Sequence, residues 1–205
     1  MPRSATTTAA LVAAAAQAVA LQAQKALARA LADAKRGLPL RTIEAFARAH
    51  RNEAIGALDI GNVHVGAATC WGRHDATAFE GPPLRRDKGH FGDLVAALKA
   101  EWQPRQVRGV VIGYPLLLNG QEGEQCLRTL KFLRTLLNPT HGLGIASVVL
   151  LDERLSTQDV KETLHGAGMK ADAMRAHGLD HLVARELLLQ YLAQAREHYH
   201  TGSNG

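Results

Sequence analysis

The sequence is poor in cysteine, and it lacks any long hydrophobic run. Its two cysteines, Cys70 and Cys126, form no Cys-x-x-Cys pair and stand among apolar residues. This favours two small buried side chains over a disulfide framework or a thiolate metal site. No apolar stretch approaches the roughly 18 residues that a membrane-spanning helix needs. Nothing in the sequence therefore indicates a secreted or a membrane-spanning protein.

Acidic residues are missing from the first part of the chain. Residues 1–32 are dominated by alanine and carry only three charged side chains, Arg3, Lys25 and Arg29. This composition is typical of an organellar transit peptide. It suits equally well an alanine-rich helix, or a helical arm that stays on the protein and docks on partners.

The rest of the chain has the composition of a globular domain with a basic surplus. The full chain of 205 residues is 46% hydrophobic, which is enough for one domain with a substantial core. The formal net charge of +5 favours a polyanionic partner, most commonly nucleic acid, although the excess is modest.

Hydrophobic periodicity predicts an α/β domain at residues 53–200 behind an N-terminal extension at residues 1–52. Strands are predicted at 54–60, 63–71, 75–79, 107–112 and 147–151. Helices are predicted at 42–51, 91–102, 121–137, 156–164 and 179–199. A hairpin followed by alternating helices and strands indicates a mixed sheet with helices on its faces, and sites in such sheets form at the carboxyl ends of the strands.

Two of the predicted strands end in acidic residues. Asp59 closes an apolar strand just before Gly61, and Asp152 and Glu153 directly follow another. A carboxylate next to a buried apolar strand costs free energy of folding unless it is paired, hydrogen-bonded or bound to metal. Because side chains alternate, Asp152 and Glu153 should point to opposite faces. The alternatives are that Asp59 caps its own turn and that one of the pair makes a surface ion pair with Arg154.

A third acid, Asp180, opens the last predicted helix on the same stripe as its apolar residues. The alternative is that Asp180 only stabilises the N-terminus of the helix through its negative charge. If the three acids converge, they repel one another until a cation neutralises them. Oxygen ligands suit Mg²⁺ or Mn²⁺, and a pair of such ions supports phosphodiester cleavage.

The order of the motifs resembles the YqgF/RuvX family. The matching blocks are Leu58-Asp59-Ile60-Gly61 with Val65-Gly66, Gly113-Tyr114-Pro115, Asp152-Glu153-Arg154-Leu155-Ser156-Thr157, and Asp180 before an apolar helix. The resemblance covers about residues 54–195 and implies an RNase H-like fold. It also implies a catalytic, metal-binding triad, which falls on Asp59, Glu153 and Asp180.

The chain departs from the family pattern near the triad. The family carries Lys or Arg where this chain has the stretch 62–64, so that only a protonated His64 would restore positive charge. The family has Leu where Tyr114 stands and Ser where His181 stands. We expect these changes to affect substrate contacts more than metal ligands.

Basic residues around the triad are candidates for binding nucleic acid. They are Arg85 and Arg86 on a loop, Arg154 after Glu153, Lys170 and Arg175 before Asp180, and His64. The stripe Arg128, Lys131 and Arg134 on the helix at 121–137 is interpreted as a solvated outer face rather than a phosphate-binding surface.

The resemblance implies a metal-dependent endonuclease that matures the precursor of small-subunit ribosomal RNA. One alternative is a ribosome-assembly factor that binds rRNA without cutting it; another is a DNA Holliday junction resolvase. The expected partners are ribosomal RNA or the small-subunit precursor, with assembly-factor proteins on the extension. The acid-poor extension favours an organelle, the mitochondrion, over the cytoplasm.

Overall fold

The fold is described from a computed structural model, in which residues 4–71, 76–79, 82–153 and 179–200 are placed. The predicted helix at 156–164 lies outside these residues. So do three of the predicted nucleic-acid contacts, Arg154, Lys170 and Arg175.

Helices and strands alternate along the chain, close to the predicted bounds. The helices are α1 (Ser4–Lys35), α2 (Ile43–Ala49), α3 (Phe91–Trp102), α4 (Glu124–Leu136) and α5 (Leu179–His200), with a 3₁₀ turn at Pro139–His141. The strands are β1 (Ala54–Ile60), β2 (His64–Trp71), β3 (Thr77–Ala78), β4 (Leu84–Arg85), β5 (Gly109–Tyr114) and β6 (Ser147–Asp152). The third predicted strand is thus reduced to two residues.

The described strands form one mixed sheet in the order β3-β2-β1-β5-β6, with β4 pairing to the first residues of β2. β1 and β2 are antiparallel, whereas β1, β5 and β6 are parallel. The carboxyl ends of β1, β5 and β6 therefore meet the amino end of β2 at one edge of the sheet. The predicted mixed sheet flanked by helices is confirmed.

Alternation along the strands divides the core into two apolar layers. On one face, Leu58, Ile60 and Ile112 pack with side chains of α3 and α4. On the other, Ile55, Ala57 and Val111 pack with α2 and α5. Any polar side chain at the end of a strand therefore belongs to one face or the other according to its position in this alternation.

The region before residue 53 packs on the domain over much of its second half. Phe46 of α2 is fully buried against α5, and Thr42 caps α2 by accepting from Ala45 N–H at 3.2 Å. Leu40 forms a parallel bridge to Val148 of β6. The separability of residues 1–52 stays a prediction, but these contacts join residues 40–47 to the sheet.

His50 makes a second attachment of this region to the sheet. Its ring is buried, and its Nε2 is hydrogen-bonded to the Ser147 hydroxyl while Nδ1 lies 2.7 Å from Glu53 Oε2. Gly109 makes room for the ring, because a methyl group there would lie 2.7 Å from it.

Candidate active site

Asp59 lies near the end of β1 on the face covered by α5. It follows Ile55 and Ala57 in the alternation, and both of these side chains belong to the apolar layer beneath that helix. Asp59 is half-buried at the edge of this layer. The strand pattern therefore carries a carboxylate directly to the carboxyl edge of the sheet.

Glu153 reaches the same face from β6. It continues the alternation of Val149 and Leu151, and its N–H points to the Tyr114 carbonyl at 3.4 Å, extending the pairing of β5 with β6. Gly113 leaves the space that its carboxylate fills, since a methyl group at residue 113 would lie 2.2 Å from Glu153 Oε2. Asp152 is exposed, in keeping with the predicted divergence of the two acids.

The charges of Asp59 and Glu153 act on each other. Burial raises the pKa of the Glu153 carboxyl to about 8, and the negative charge of Asp59, then that of Asp152, adds to the rise. Two carboxylates with this coupling at one edge resist double ionisation unless a cation is bound between them.

Asp180 lies in the first turn of α5, and that turn rests on β2. A methyl group at Gly66 would lie 1.7 Å from the Asp180 carbonyl oxygen. Gly66 is the register partner of Asp59 across the β1–β2 ladder. The side chain of Asp180 is partly exposed, and its Oδ2 lies 3.6 Å from His64 Nδ1.

His181 fixes the start of α5 against the sheet. Its buried ring accepts the Ala67 N–H at Nδ1, 3.0 Å away, and its Nε2 lies 3.3 Å from the Pro82 carbonyl. These partners assign the neutral tautomer with the proton on Nε2, and burial, the largest influence, lowers the pKa of the ring. These contacts anchor the first turn of α5, in which Asp180 lies; the expected effect of His181 on substrate contacts stays a prediction.

The carboxylates present the hard oxygen ligands that Mg²⁺ and Mn²⁺ prefer. The coupled pair of Asp59 and Glu153 fits a divalent cation in donor chemistry and charge. Within the described part of the chain, however, no three His, Cys, Asp or Glu side chains lie close enough together to form a metal site. The structure therefore couples Asp59 to Glu153 and sets the backbone of Asp180 against Gly66, the register partner of Asp59. The described residues form no preformed cluster of three carboxylates.

The described basic candidates differ in their placement. Arg86 donates from Nη1 to the Gly61 carbonyl at 2.7 Å, so it lies at the end of β1. Arg85 is exposed and pairs with Asp87 at 2.9 Å.

The N-terminal helix also reaches this edge of the sheet. Tyr114 ends β5 and donates its hydroxyl proton to Glu122, whose carboxylate also pairs with Lys35 at the end of α1. Burial raises the pKa of Glu122, but the hydrogen bonds from Lys35 and Tyr114 outweigh it and lower the pKa overall. Leu31 of α1 is buried near Tyr114.

The sequence model of one family, described as "RuvX: Holliday junction resolvase", matches residues 53–194. The chain belongs to the RuvX family. Its relatives include a protein of Kineococcus radiotolerans, 37% identical over 58% of this chain and 61% of its own length. A protein of Ruegeria pomeroyi is 32% identical over 76% of this chain and 96% of its own. Both are named "Putative pre-16S rRNA nuclease".

Among solved structures, RuvC of T. thermophilus in complex with a Holliday junction substrate aligns with a TM-score of 0.45 and 15% identity, over 69% of this chain and 95% of that one. The family assignment rests on the family match and the relatives. The two named relatives are bacterial, and they give no support to the expected mitochondrial location. None of the helices in the described residues is long and apolar enough to cross a membrane.

Proposed function

We propose that this RuvX-family chain is a divalent-metal-dependent endonuclease that cuts the precursor of small-subunit ribosomal RNA. One observation carries the proposal: two electrostatically coupled carboxylates, Asp59 and Glu153, share one face at the carboxyl edge of the sheet. The names of the relatives support RNA as the substrate.

Asp59 and Glu153 would hold Mg²⁺ or Mn²⁺, with Asp180 as the third ligand. A divalent ion supplies stabilisation of the negative charge that builds up on the scissile phosphate. Without a cation, the Glu153 carboxyl keeps its proton up to about pH 8. Cation binding must displace that proton, so metal affinity rises with pH through the neutral range.

The surrounding residues organise these ligands. Gly113 leaves room for the Glu153 carboxylate, and Gly66 allows the first turn of α5 to approach β2. His181 holds that turn in place through Ala67 and Pro82. Arg86 would contact the phosphate backbone next to the end of β1. Of the other candidates, we propose the same contact for Arg85, His64, Arg154, Lys170 and Arg175.

A non-cleaving rRNA-binding assembly factor is the second candidate. It is favoured by the lack, among the described residues, of three carboxylates at metal-site spacing. The description of the family model favours a third, a DNA junction resolvase. The location in an organelle, and assembly-factor partners on α1, stay predictions.

The test is a paired cleavage and binding assay on precursor rRNA, with wild type and Asp59→Asn, in Mg²⁺ or EDTA. We expect Mg²⁺-dependent cleavage by wild type only, because the amide keeps the size of the carboxylate but not the charge that holds the ion. RNA binding should be unchanged or slightly tighter, because the loss of a negative charge reduces repulsion of phosphate.

The matched control is Asp93→Asn, which removes an exposed carboxylate from the first turn of α3 and should leave cleavage intact. Wild-type protein that binds precursor rRNA but never cuts it, in Mg²⁺ or Mn²⁺, would establish the assembly-factor alternative. Cleavage of a four-way DNA junction in preference to RNA would establish the resolvase.

A further inference from the structure

A groove of about 520 Å³ lies on the α3–α4 side of the molecule, and its walls are basic. Its charged lining consists of Arg86, Lys88, Arg128 and Lys131, and its apolar lining includes Phe91 and Phe132. No acidic side chain of the described residues lines it. The groove, called the basic groove below, is thus a concentrated patch of positive charge.

Arg86 is the fixed member of the basic groove. Its Nη1 donates to the Gly61 carbonyl at 2.7 Å, and its backbone N–H donates to the Val63 carbonyl at 3.1 Å. The guanidinium carbon lies 4.5 Å from the centre of the Phe132 ring. A guanidinium that is held by a hydrogen bond and an aromatic ring, on an anchored backbone, is already organised for an anion, so little side-chain entropy is lost when one binds.

The groove's positive charge is only partly compensated. Arg128 pairs with Glu124 at 3.3 Å, and both side chains are largely exposed, so the pair is weak. Burial lowers the pKa of Arg86, and the positive charge of Arg128 lowers it further. Mutual repulsion of this kind is relieved when a polyanion enters between the cations.

The stripe predicted on the helix at 121–137 is therefore split by the fold. Arg128 and Lys131 turn toward the basic groove, whereas Arg134 donates to the Asp33 carbonyl of α1 at 3.1 Å. All three side chains are exposed, in keeping with the interpretation as a solvated face. Arg86 and Lys88, from a loop some forty residues earlier in the chain, lie beside two of them and complete the groove.

The basic groove and the carboxylates meet at the end of β1. Arg86 binds Gly61, two residues beyond Asp59, but the groove opens on the α3–α4 face while Asp59 lies on the α5 face. A nucleic-acid strand with one phosphate at the carboxylates can cross this edge of the sheet and continue into the groove.

We propose that the basic groove binds the sugar–phosphate backbone of the substrate RNA beside the cleavage site. This rests on the proposed function for the identity of the ligand. The ring of Phe132 is covered by Arg86 and is only 7% exposed, so it offers no stacking surface for a base, and the four cations are the main feature of the groove. Contacts of this type position a nucleic acid without reading its sequence.

The test compares two double variants of the full-length chain, each of which removes two positive charges. Arg128→Gln with Lys131→Gln alters the groove. Arg105→Gln with Arg108→Gln is the matched control, because these exposed residues precede the amino end of β5, at the opposite edge of the sheet. Arg105 pairs with Glu101 at 3.2 Å, much as Arg128 pairs with Glu124.

Binding of a fluorescent precursor-rRNA hairpin is measured by anisotropy in EDTA, from 50 to 250 mM KCl. We expect the groove variant to bind about tenfold more weakly near 0.1 M salt and the control less than twofold more weakly. The slope of log Kd against log salt should fall by about 1.4 to 1.8 for the groove variant, since each of the two phosphate contacts contributes about 0.7 to 0.9.

Equal weakening by both variants would show a general effect of net charge and overturn the proposal, as would no weakening by either. Polyglutamate is the second probe. If the binding of polyglutamate depends on the groove while RNA binding does not, the groove is a site for an acidic protein segment.

Binding is measured without metal, so it does not depend on cleavage. A loss of RNA binding that is specific to the groove variant, in a chain that never cuts RNA, therefore supports the groove and refutes the nuclease. If the wild type cuts RNA but the two double variants bind RNA equally well, the nuclease is supported and the proposed role of the groove is refuted.

Discussion

The carbonyl oxygen of Asp180 lies directly on Gly66, so closely that a methyl group at residue 66 would be 1.7 Å from it. Real side-chain contacts do not approach this distance, so any side chain at residue 66 must push the first turn of α5 off the sheet. The absent side chain at position 66 therefore sets the position of the third acid of the proposed triad.

Gly66→Ala should abolish or strongly reduce cleavage and lower the free energy of unfolding by about 1–3 kcal/mol, the usual cost of an overpacked site. Urea unfolding and cleavage are measured together. Gly92→Ala is the control: nothing lies within 4 Å of a methyl group there, and alanine in a helix is favoured over glycine by about 0.5–1 kcal/mol. Equal effects of the two substitutions would contradict the role of Gly66.

Glu153→Gln should stabilise the metal-free protein increasingly as the pH rises. Between the ordinary pKa of 4.5 and the folded-state pKa of about 8, folded Glu153 holds a proton that the unfolded chain has released. The wild type therefore loses stability across this window, whereas the glutamine variant has nothing to titrate. The full shift corresponds to about 4–5 kcal/mol. Because Glu153 is only partly buried, solvent screening reduces the expected difference to about 1–3 kcal/mol at pH 8, with almost none at pH 4.

Urea unfolding in EDTA at pH 4, 6 and 8 measures this difference. Glu44→Gln is the control, because Glu44 is exposed and pairs with Arg48 at 3.0 Å within α2, an interaction worth about 0.3–0.5 kcal/mol. Parallel pH profiles of wild type and Glu153→Gln would show that burial and Asp59 do not shift this carboxyl.

Two truncations separate the halves of the N-terminal region. Removing residues 1–26 takes away side chains that are exposed wherever the structure describes them, so unfolding should stay cooperative with a nearly unchanged midpoint. Removing residues 1–52 also removes Phe46 and the hydrogen bond between His50 and Ser147. The loss of a buried phenylalanine alone costs about 3–5 kcal/mol. Equal midpoints for both truncations would show that residues 1–52 are separable, as the sequence predicts.

Neither cysteine should react with a thiol reagent in the native chain at pH 8. Burial raises the pKa of Cys70 to about 12, and it likewise raises that of Cys126, which is fully buried and donates to the Pro115 carbonyl. Thiolate is the reactive form. Titration with a chromogenic disulfide should report two thiols in guanidinium and almost none in buffer; rapid native labelling would place a cysteine at the surface.

The sequence predicts those features that depend on local periodicity. Apolar alternation and helical spacing locate β1, β5, β6 and the long helices to within a few residues, because burial on one face imposes that pattern. The strand end of Asp59 and the helix start of Asp180 follow from the same patterns. Glu153 could be ranked above Asp152 only through the family resemblance, since alternation alone does not say which face is the functional one.

Features that depend on tertiary contacts could not be predicted from the sequence. His181 carries no local signal of its burial, because its partners Ala67 and Pro82 are about a hundred residues away. The basic groove could not be predicted either, because Arg86 and Arg128 are some forty residues apart in the chain. Gly66 and Gly113 stand in the motifs, but only the packing shows that the missing side chains make room for Asp180 and Glu153.

Helix α1 is anchored to the domain at its C-terminal end, so the direction in which each face of its free end points is fixed relative to the domain. The first side chain of α1 that packs on the core is Leu27, one turn before the buried Leu31 near Tyr114. The helix starts at Ser4, so about 35 Å of helix extends beyond this anchor at 1.5 Å per residue. Inserting one residue just before the anchor would rotate the free end by about 100°, whereas inserting seven would nearly restore its direction. Whatever is bound at the free end would thus be presented to the nuclease domain at an angle that depends on the number of residues between them.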